Sequence, residues 1–267
     1  MSLIMTVYLN EGIVMASDSR TTLLNLNQID NCIIQNRIPM SDATYKSFLA
    51  KNNCGISTCG DSSYNMKPIA GYIENILNNN IGEDTTIIET AEFLCDYFSN
   101  LDINKTTIFH VCGYEKNEKG DFVSKVFRVF TGKNKKIEQI SSENNQGAIW
   151  NGETVTLAKL INRQVICPNY IESSNVCINN SDGTTINIDN ALIIDKKNAI
   201  VVNESNIPWE YMSIQDAVDF IKFAFDATIN HMRFQSVNKT VGGPVDILII
   251  KPNSISWLKR KEISYEK

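Results

Sequence analysis

Three short stretches of the sequence gather residue types from which a reactive site could be built. The first, Gly12-Ile13-Val14-Met15-Ala16-Ser17-Asp18-Ser19-Arg20, runs from a turn through an apolar strand to a carboxylate and a cation. The second is Lys46, with Gly60 fourteen residues later. The third is Thr240-Val241-Gly242-Gly243-Pro244-Val245-Asp246, just ahead of an apolar run. Taken singly, each has a plain structural explanation. Asp18 can cap a turn, Lys46 can lie on the surface, and the paired glycines can form a tight turn or an anion-binding nest. Other chemistries are not signalled. His110 falls inside an apolar strand as a packed, hydrogen-bonded residue, and His231 falls at a helix end, where a positive side chain suits the dipole. The seven cysteines (Cys32, Cys54, Cys59, Cys95, Cys112, Cys167 and Cys177) form no C-x-x-C pair and no zinc pattern. They read as reduced thiols acting as small hydrophobes.

The elements that must position these residues follow from periodicity. Residues 3 to 9, the turn Asn10-Glu11-Gly12 and the run Ile13 to Ala16 predict an N-terminal hairpin. Residues 21 to 45 are polar and weakly periodic, and read as a long excursion. Lys46 to Ala50 and Gly55 to Thr58 predict a second hairpin that closes at Gly60-Asp61. Met66, Ile69, Ala70, Ile73, Ile76 and Leu77 then make a helical stripe, with Pro68 in its first turn. Ile87, Ala91, Leu94, Cys95, Phe98 and Leu101 make another. Strand-like runs return at 106–114 and 122–130, with shorter ones near 136–140 and 148–150, and a short helix at 154–161. Between 162 and 210 only the apolar runs at 191–194 and 199–202 stand out. Ser213 and Asp216 then have the spacing of a capping box ahead of a long helix, and 245–250 predicts a closing strand. Strands and helices segregate in blocks, so the fold class is α+β: two antiparallel sheets with helices outside.

Bulk properties narrow the function classes. The chain has 267 residues, of which 43% are apolar, so it can bury a full core. A net charge of −5 disfavours a nucleic-acid partner, since nothing would neutralise phosphates over a broad face. No apolar run reaches membrane-spanning length, and the N-terminus lacks a basic n-region, so no membrane partner and a cytoplasmic location are expected. No repeat or linker divides residues 1 to 267, which are read as a single domain.

At the two N-terminal hairpins the sequence resembles the proteasome β-subunit family of N-terminal-nucleophile (Ntn) hydrolases, including the bacterial proteasome-like peptidases. The resemblance rests on an N-terminal strand entering a Gly-apolar-apolar-apolar-Ala-x-Asp-Ser-Arg segment, a Lys opening the next strand, and a Gly closing its hairpin. It is closest over residues 2 to 20 and 46 to 60, and elsewhere follows the order of elements. It implies a four-layer αββα sandwich, with residues 21 to 45 and about 162 to 210 as insertions. It also places Asp18 on the family's conserved aspartate, Lys46 on its catalytic lysine and Gly60 on the glycine whose N–H forms the oxyanion hole. Counting back from Asp18 by the family's separation puts the nucleophile at Ser2, exposed by removal of Met1. Thr6 after Met5 lies four residues too close to Asp18 for the same geometry.

Such a site is chemically coherent. A serine hydroxyl needs a base, and a free α-amine on the same residue supplies one with an ordinary pKa of about 7.7–8. A charged lysine beside Asp18 would bias that amine toward its neutral form. One oxyanion donor contributes roughly 3 kcal/mol. No metal or organic cofactor is implied. The sequence departs from the family in having Ser rather than Thr as nucleophile and no Asp between His231 and Thr240. There Asn238 or Thr240 stands instead, with Asn151 or the Gly152 backbone as a further polar partner. The activity implied is hydrolysis of peptide bonds, in peptides or unfolded proteins, inside a self-compartmentalised homo-oligomer, with a partner ATPase left open. A catalytically silent subunit with an assembly role and a small-molecule amidase are the two alternatives.

Overall fold

Two strands at the start of the chain, β1 (Leu3–Tyr8) and β2 (Ile13–Ser17), are buried at every residue. Continuous burial is the mark of strands covered on both faces. The computed structural model describes residues 2–29, 32–141, 145–161, 163–171, 176–179, 185–188, 193–204, 207–235 and 238–262, with side chains outside 25–36 and 162–206. Met1, whose removal the sequence reading invokes, is outside the described residues, as are residues 191 and 192 of one apolar run.

After β2 come β3 (Thr21–Ile29), β4 (Cys32–Ser41), β5 (Ser47–Leu49), β6 (Gly55–Gly60) and the two-residue strands β7 (Ser63–Tyr64) and β8 (Lys67–Pro68). Helices α1 (Ile69–Asn79) and α2 (Ile87–Leu101) follow, then β9 (Thr107–Lys116), β10 (Phe122–Phe130), β11 (Lys136–Gln139), β12 (Gly147–Gly152) and α3 (Val155–Ile161). Next are β13 (Arg163–Ile171), β14 (Val176–Asn179), β15 (Thr185–Ile188) and β16 (Ile193–Glu204), and finally α4 (Ile214–Arg233), β17 (Asp246–Lys251) and β18 (Ser254–Lys259). Two antiparallel five-stranded sheets result, in the orders β12-β1-β2-β17-β18 and β11-β10-β9-β6-β5. Helices α1 and α2 cover the outer face of the second sheet, and α4 packs on β1 and β2 of the first. The expected αββα layering is therefore present.

The helix ends have clear local causes. Ser213 and Asp216 exchange backbone and side-chain hydrogen bonds at 2.8 and 3.2 Å, the reciprocal box expected from the sequence. Thr86 and Glu89 form a second such box at the start of α2. Pro68 stands at the N-cap of α1 rather than inside it, and Met66 belongs to the β7–β8 turn at φ +61°. The stretch 21–45, read as an excursion, contains a regular ribbon in which β3 pairs with β4 from Thr21↔Ser41 to Ile29↔Cys32. Its apolar residues fall in doublets, Leu23-Leu24 and Ile33-Ile34, as well as at alternate positions, so no regular period-two signal stands out.

By its contacts the chain clusters into two units, residues 1–157 with 208–267 and residues 158–207. The first contains both sheets. In the second, β13 pairs antiparallel with β16 and β14 with β15.

Candidate active site

Asp18 lies just past the end of β2, fully buried, and four donors saturate its carboxylate. Oδ1 accepts from the Leu3 N–H at 3.0 Å and from Lys46 Nζ at 2.8 Å. Oδ2 accepts from the Arg20 and Gly242 N–H groups, both at 3.1 Å. Three backbone amides and one ammonium thus fix the carboxylate in place, and each added hydrogen bond offsets part of the cost of burying the charge. Lys46 reaches it from the start of β5, across the gap between the sheets, and its Nζ also donates to the Arg20 carbonyl at 2.5 Å. Both side chains are buried, Lys46 at 4% and Asp18 at 0% exposure. Burial pulls the Lys46 ammonium below the usual lysine range, while the Asp18 carboxylate works against that pull.

Ser2 is positioned by its backbone. Its carbonyl accepts from the Glu153 N–H at 2.8 Å, next to Gly152 at the end of β12. A Cβ on Gly152 would lie 1.8 Å from that carbonyl oxygen, so only glycine lets β12 come this close. With the Leu3 N–H held by Asp18, Ser2 sits one peptide from the Asp18–Lys46 pair. Gly60 ends β6 at φ +103°, where a Cβ would meet the Thr106 carbonyl oxygen at 2.5 Å. Ser2 and Gly60 line one open cleft of about 680 Å³, together with Arg20, Thr21 and Thr44. The exposed side chains of Leu23, Leu24, Met40 and Met66 make its lining partly apolar. The four residues singled out in the sequence are thus gathered at one place.

The other residues considered from the sequence have partners of their own. Thr6 is fully buried in mid-β1 and bonded to His110 Nδ1 at 2.9 Å, which leaves no room for it as a chain start. Asn151 bonds His110 Nε2 at 2.9 Å, Asn238 accepts from the Arg37 N–H, and Thr240 donates to Glu153. Cys59 adjoins Gly60, but burial pushes its thiol up to about 12 despite the Lys46 ammonium, so it stays protonated. The backbone roles of Gly242, whose N–H holds Asp18, and of Arg20, whose carbonyl holds Lys46, were not read from the sequence. The glycine pair ahead of a strand was the available signal for the first. Nothing in the sequence marks the second, because a backbone carbonyl has no residue type.

Compared by sequence, the chain matches no family model and no curated protein. Compared by structure, it is similar to an Anbu mutant from Hyphomicrobium sp. strain MC1, with a TM-score of 0.54 at 15% identity, covering 100% of this chain and 89% of that one. The fold is that of the proteasome-like Ntn hydrolases. A eukaryotic HslV from Trypanosoma brucei is also similar, at 12% identity and a TM-score of 0.45, covering 93% of this chain and 99% of the other. In the proteasome-like fold found here, Asp18 and Lys46 bridge the two sheets at the end where β1 begins. Among the described residues, no helix is long and apolar enough to cross a membrane.

Proposed function

We propose that this chain is an Ntn peptidase in which Ser2 is the nucleophile, its own α-amine the base, and Asp18, Lys46 and Gly60 the supporting groups. The observation that carries this reading is the buried Lys46–Asp18 pair, whose carboxylate also grips the amide directly after Ser2. A buried ion pair contributes little net stability relative to an apolar pair of the same volume. Its placement beside a serine at the base of a cleft favours a chemical role.

In this mechanism the chain ahead of Ser2 is removed, so that its amine is free. The Ser2 hydroxyl attacks the scissile carbonyl carbon and gives its proton to that amine. The Gly60 N–H receives the developing oxyanion. The amine then protonates the leaving nitrogen, and water releases the acyl group by the same steps in reverse order. Lys46, kept cationic by Asp18, holds the amine in its neutral form. The substrate would be a peptide or an unfolded protein lying in the cleft, and the working form a homo-oligomer that encloses it.

The test is intact mass and electrophile labelling of protein expressed from its natural start. The expected result is a mass beginning at Ser2, a covalent adduct mapped to Ser2, and loss of both adduct and peptide hydrolysis in Ser2→Ala. A chain that keeps residues ahead of Ser2 and takes no label would sink the peptidase reading in favour of a silent subunit.

A further inference from the structure

Asp246 belongs to the third stretch marked out in the sequence, yet the chemistry above does not use it. It is fully buried at the start of β17 and stands opposite Ser17 in the register with β2, one residue from Asp18. Lys261, in the segment after β18, reaches into the same place. Its side chain is 7% exposed, its Nζ is ion-paired to Asp246 Oδ2, and its backbone N–H donates to Asp246 Oδ1 at 2.8 Å. Tyr45, the chain neighbour of Lys46, closes over this segment. Its hydroxyl donates to the Lys261 carbonyl at 3.2 Å, and its ring lies 4.7 Å from Lys261 Nζ. Ser17, opposite Asp246, and Ser47, next to Lys46 in the chain, have their Oγ atoms 2.8 Å apart. A lysine near the end of a polar segment has no need to leave water, and desolvating it is costly unless its partner is well placed.

We propose that Asp246 and Lys261 are positioning residues of the same site, a second buried ion pair that holds the segment after β18 beside Asp18 and Lys46 and acts on them through its charge. This rests on reading Asp18 and Lys46 as the working pair. The charged and titratable groups facing Lys46 are Asp18 from the end of β2, Cys59 from β6, Asp42 ahead of it in the chain, and Lys261. Cys59 stays neutral, so the balance lies among the carboxylates and the second ammonium. Burial lowers Lys46 most strongly, Asp18 raises it, and the Lys261 charge adds to the downward pull. Lys261 therefore offsets part of what Asp18 does. The segment after β18 thereby becomes part of the site.

The test is a titration of the Lys46 amine by NMR of isotope-labelled lysine, in the full chain and in Lys261→Met, Asp246→Asn and Lys261→Arg. Lys261→Met removes a nearby cation, so the Lys46 midpoint moves up. Asp246→Asn removes an anion and leaves the cation, so the midpoint moves down. Lys261→Arg keeps the charge and leaves the midpoint near the parent value. Where peptide hydrolysis is measured, the alkaline limb of the pH–rate profile moves in the same directions. If Lys261→Met does not fold, the isosteric Asp246→Asn and the charge-keeping Lys261→Arg carry the comparison. One Lys46 midpoint shared by all folded variants, or both charge-removing variants moving it the same way, would overturn the proposal and leave a purely structural clamp. The titration does not depend on turnover. Opposite shifts in a chain that hydrolyses nothing would uphold the second pair while sinking the peptidase reading.

Discussion

The two faces of the sheet β11-β10-β9-β6-β5 are built from different chemistry. On its outer face, under α1 and α2, the packing is apolar and rich in aromatic rings. Tyr64 and Phe98 lie 5.2 Å apart between ring centres, as do Phe98 and Phe109, and Ile73, Ile76 and Leu94 fill the space around them. On its inner face, against the other sheet, the layer is graded along the strands. Ile13 and Met15 of β2 give way to Ser17, and in register Ile250 and Leu248 of β17 give way to Asp246. Ile149 of β12 gives way to Asn151, and Cys112 of β9 to His110. Because the polar ends coincide, their partners are at hand: Ser17 with Ser47, Thr6 with His110 and Asn151, Asp18 with Lys46. The outer layer stabilises mainly by burial, with a few hydrogen bonds such as Tyr64 Oη to Thr107 Oγ1 at 2.9 Å. The inner one trades apolar contact for fixed dipoles at one end, and that end holds the cleft.

This division can be broken from either side. The largest expected effect is on the polar end: Lys46→Ala should lower kcat/KM for peptide hydrolysis about 10²–10⁴-fold, the usual contribution of a group that manages a proton. It should also cost about 3–5 kcal/mol of stability, because Asp18 is left buried and charged. A variant with full hydrolytic activity would sink the mechanism. Phe98→Ala tests the other side. It should cost about 3–5 kcal/mol in denaturant unfolding through lost burial and a residual cavity, while the folded fraction keeps the parent's kcat/KM. Loss of activity per folded molecule would mean that the outer layer shapes the site as well as supporting it.

Much of this arrangement was legible in the sequence, and the parts that were not have identifiable causes. The stripes of α1, α2 and α4 and the two N-terminal hairpins follow from apolar spacing alone, since burial on one face leaves a periodic trace. Asp18, Lys46 and Gly60 were singled out as a set only through the resemblance at the two N-terminal hairpins, since each alone reads as a turn cap, a surface cation and a turn glycine. The β3–β4 ribbon was not legible, because its apolar residues fall in doublets as well as singly and leave no regular alternation. Gly242 and Arg20 act through backbone atoms, which residue types do not encode. Asp246 was noticed, but its partner Lys261 sits in a basic run, Lys259 to Lys261, that looks like any solvated turn. Only the fold reveals that one of these cations is desolvated.

The smallest of these effects is a pH dependence carried by the polar end. His110 is fully buried, with both ring nitrogens bonded, and burial pulls its pKa from 6.5 down to about 4. The folded chain therefore keeps the ring neutral at a pH where the unfolded chain protonates it. Between those two values the unfolded state binds the extra proton, so stability rises with pH across the window. The term costs nothing above about 6.5 and erodes stability as the pH falls toward about 4, by up to about 3 kcal/mol. His110→Gln removes this titration while keeping a hydrogen-bonding side chain toward Asn151. Urea unfolding at about pH 7 and about pH 5 should show the parent losing more stability than the variant on acidification. Equal losses would mean that the ring charges inside the fold. The polar end of the inner layer would then be open enough to water to solvate an imidazolium, and the contrast with the dry outer layer would be sharper than the packing indicates.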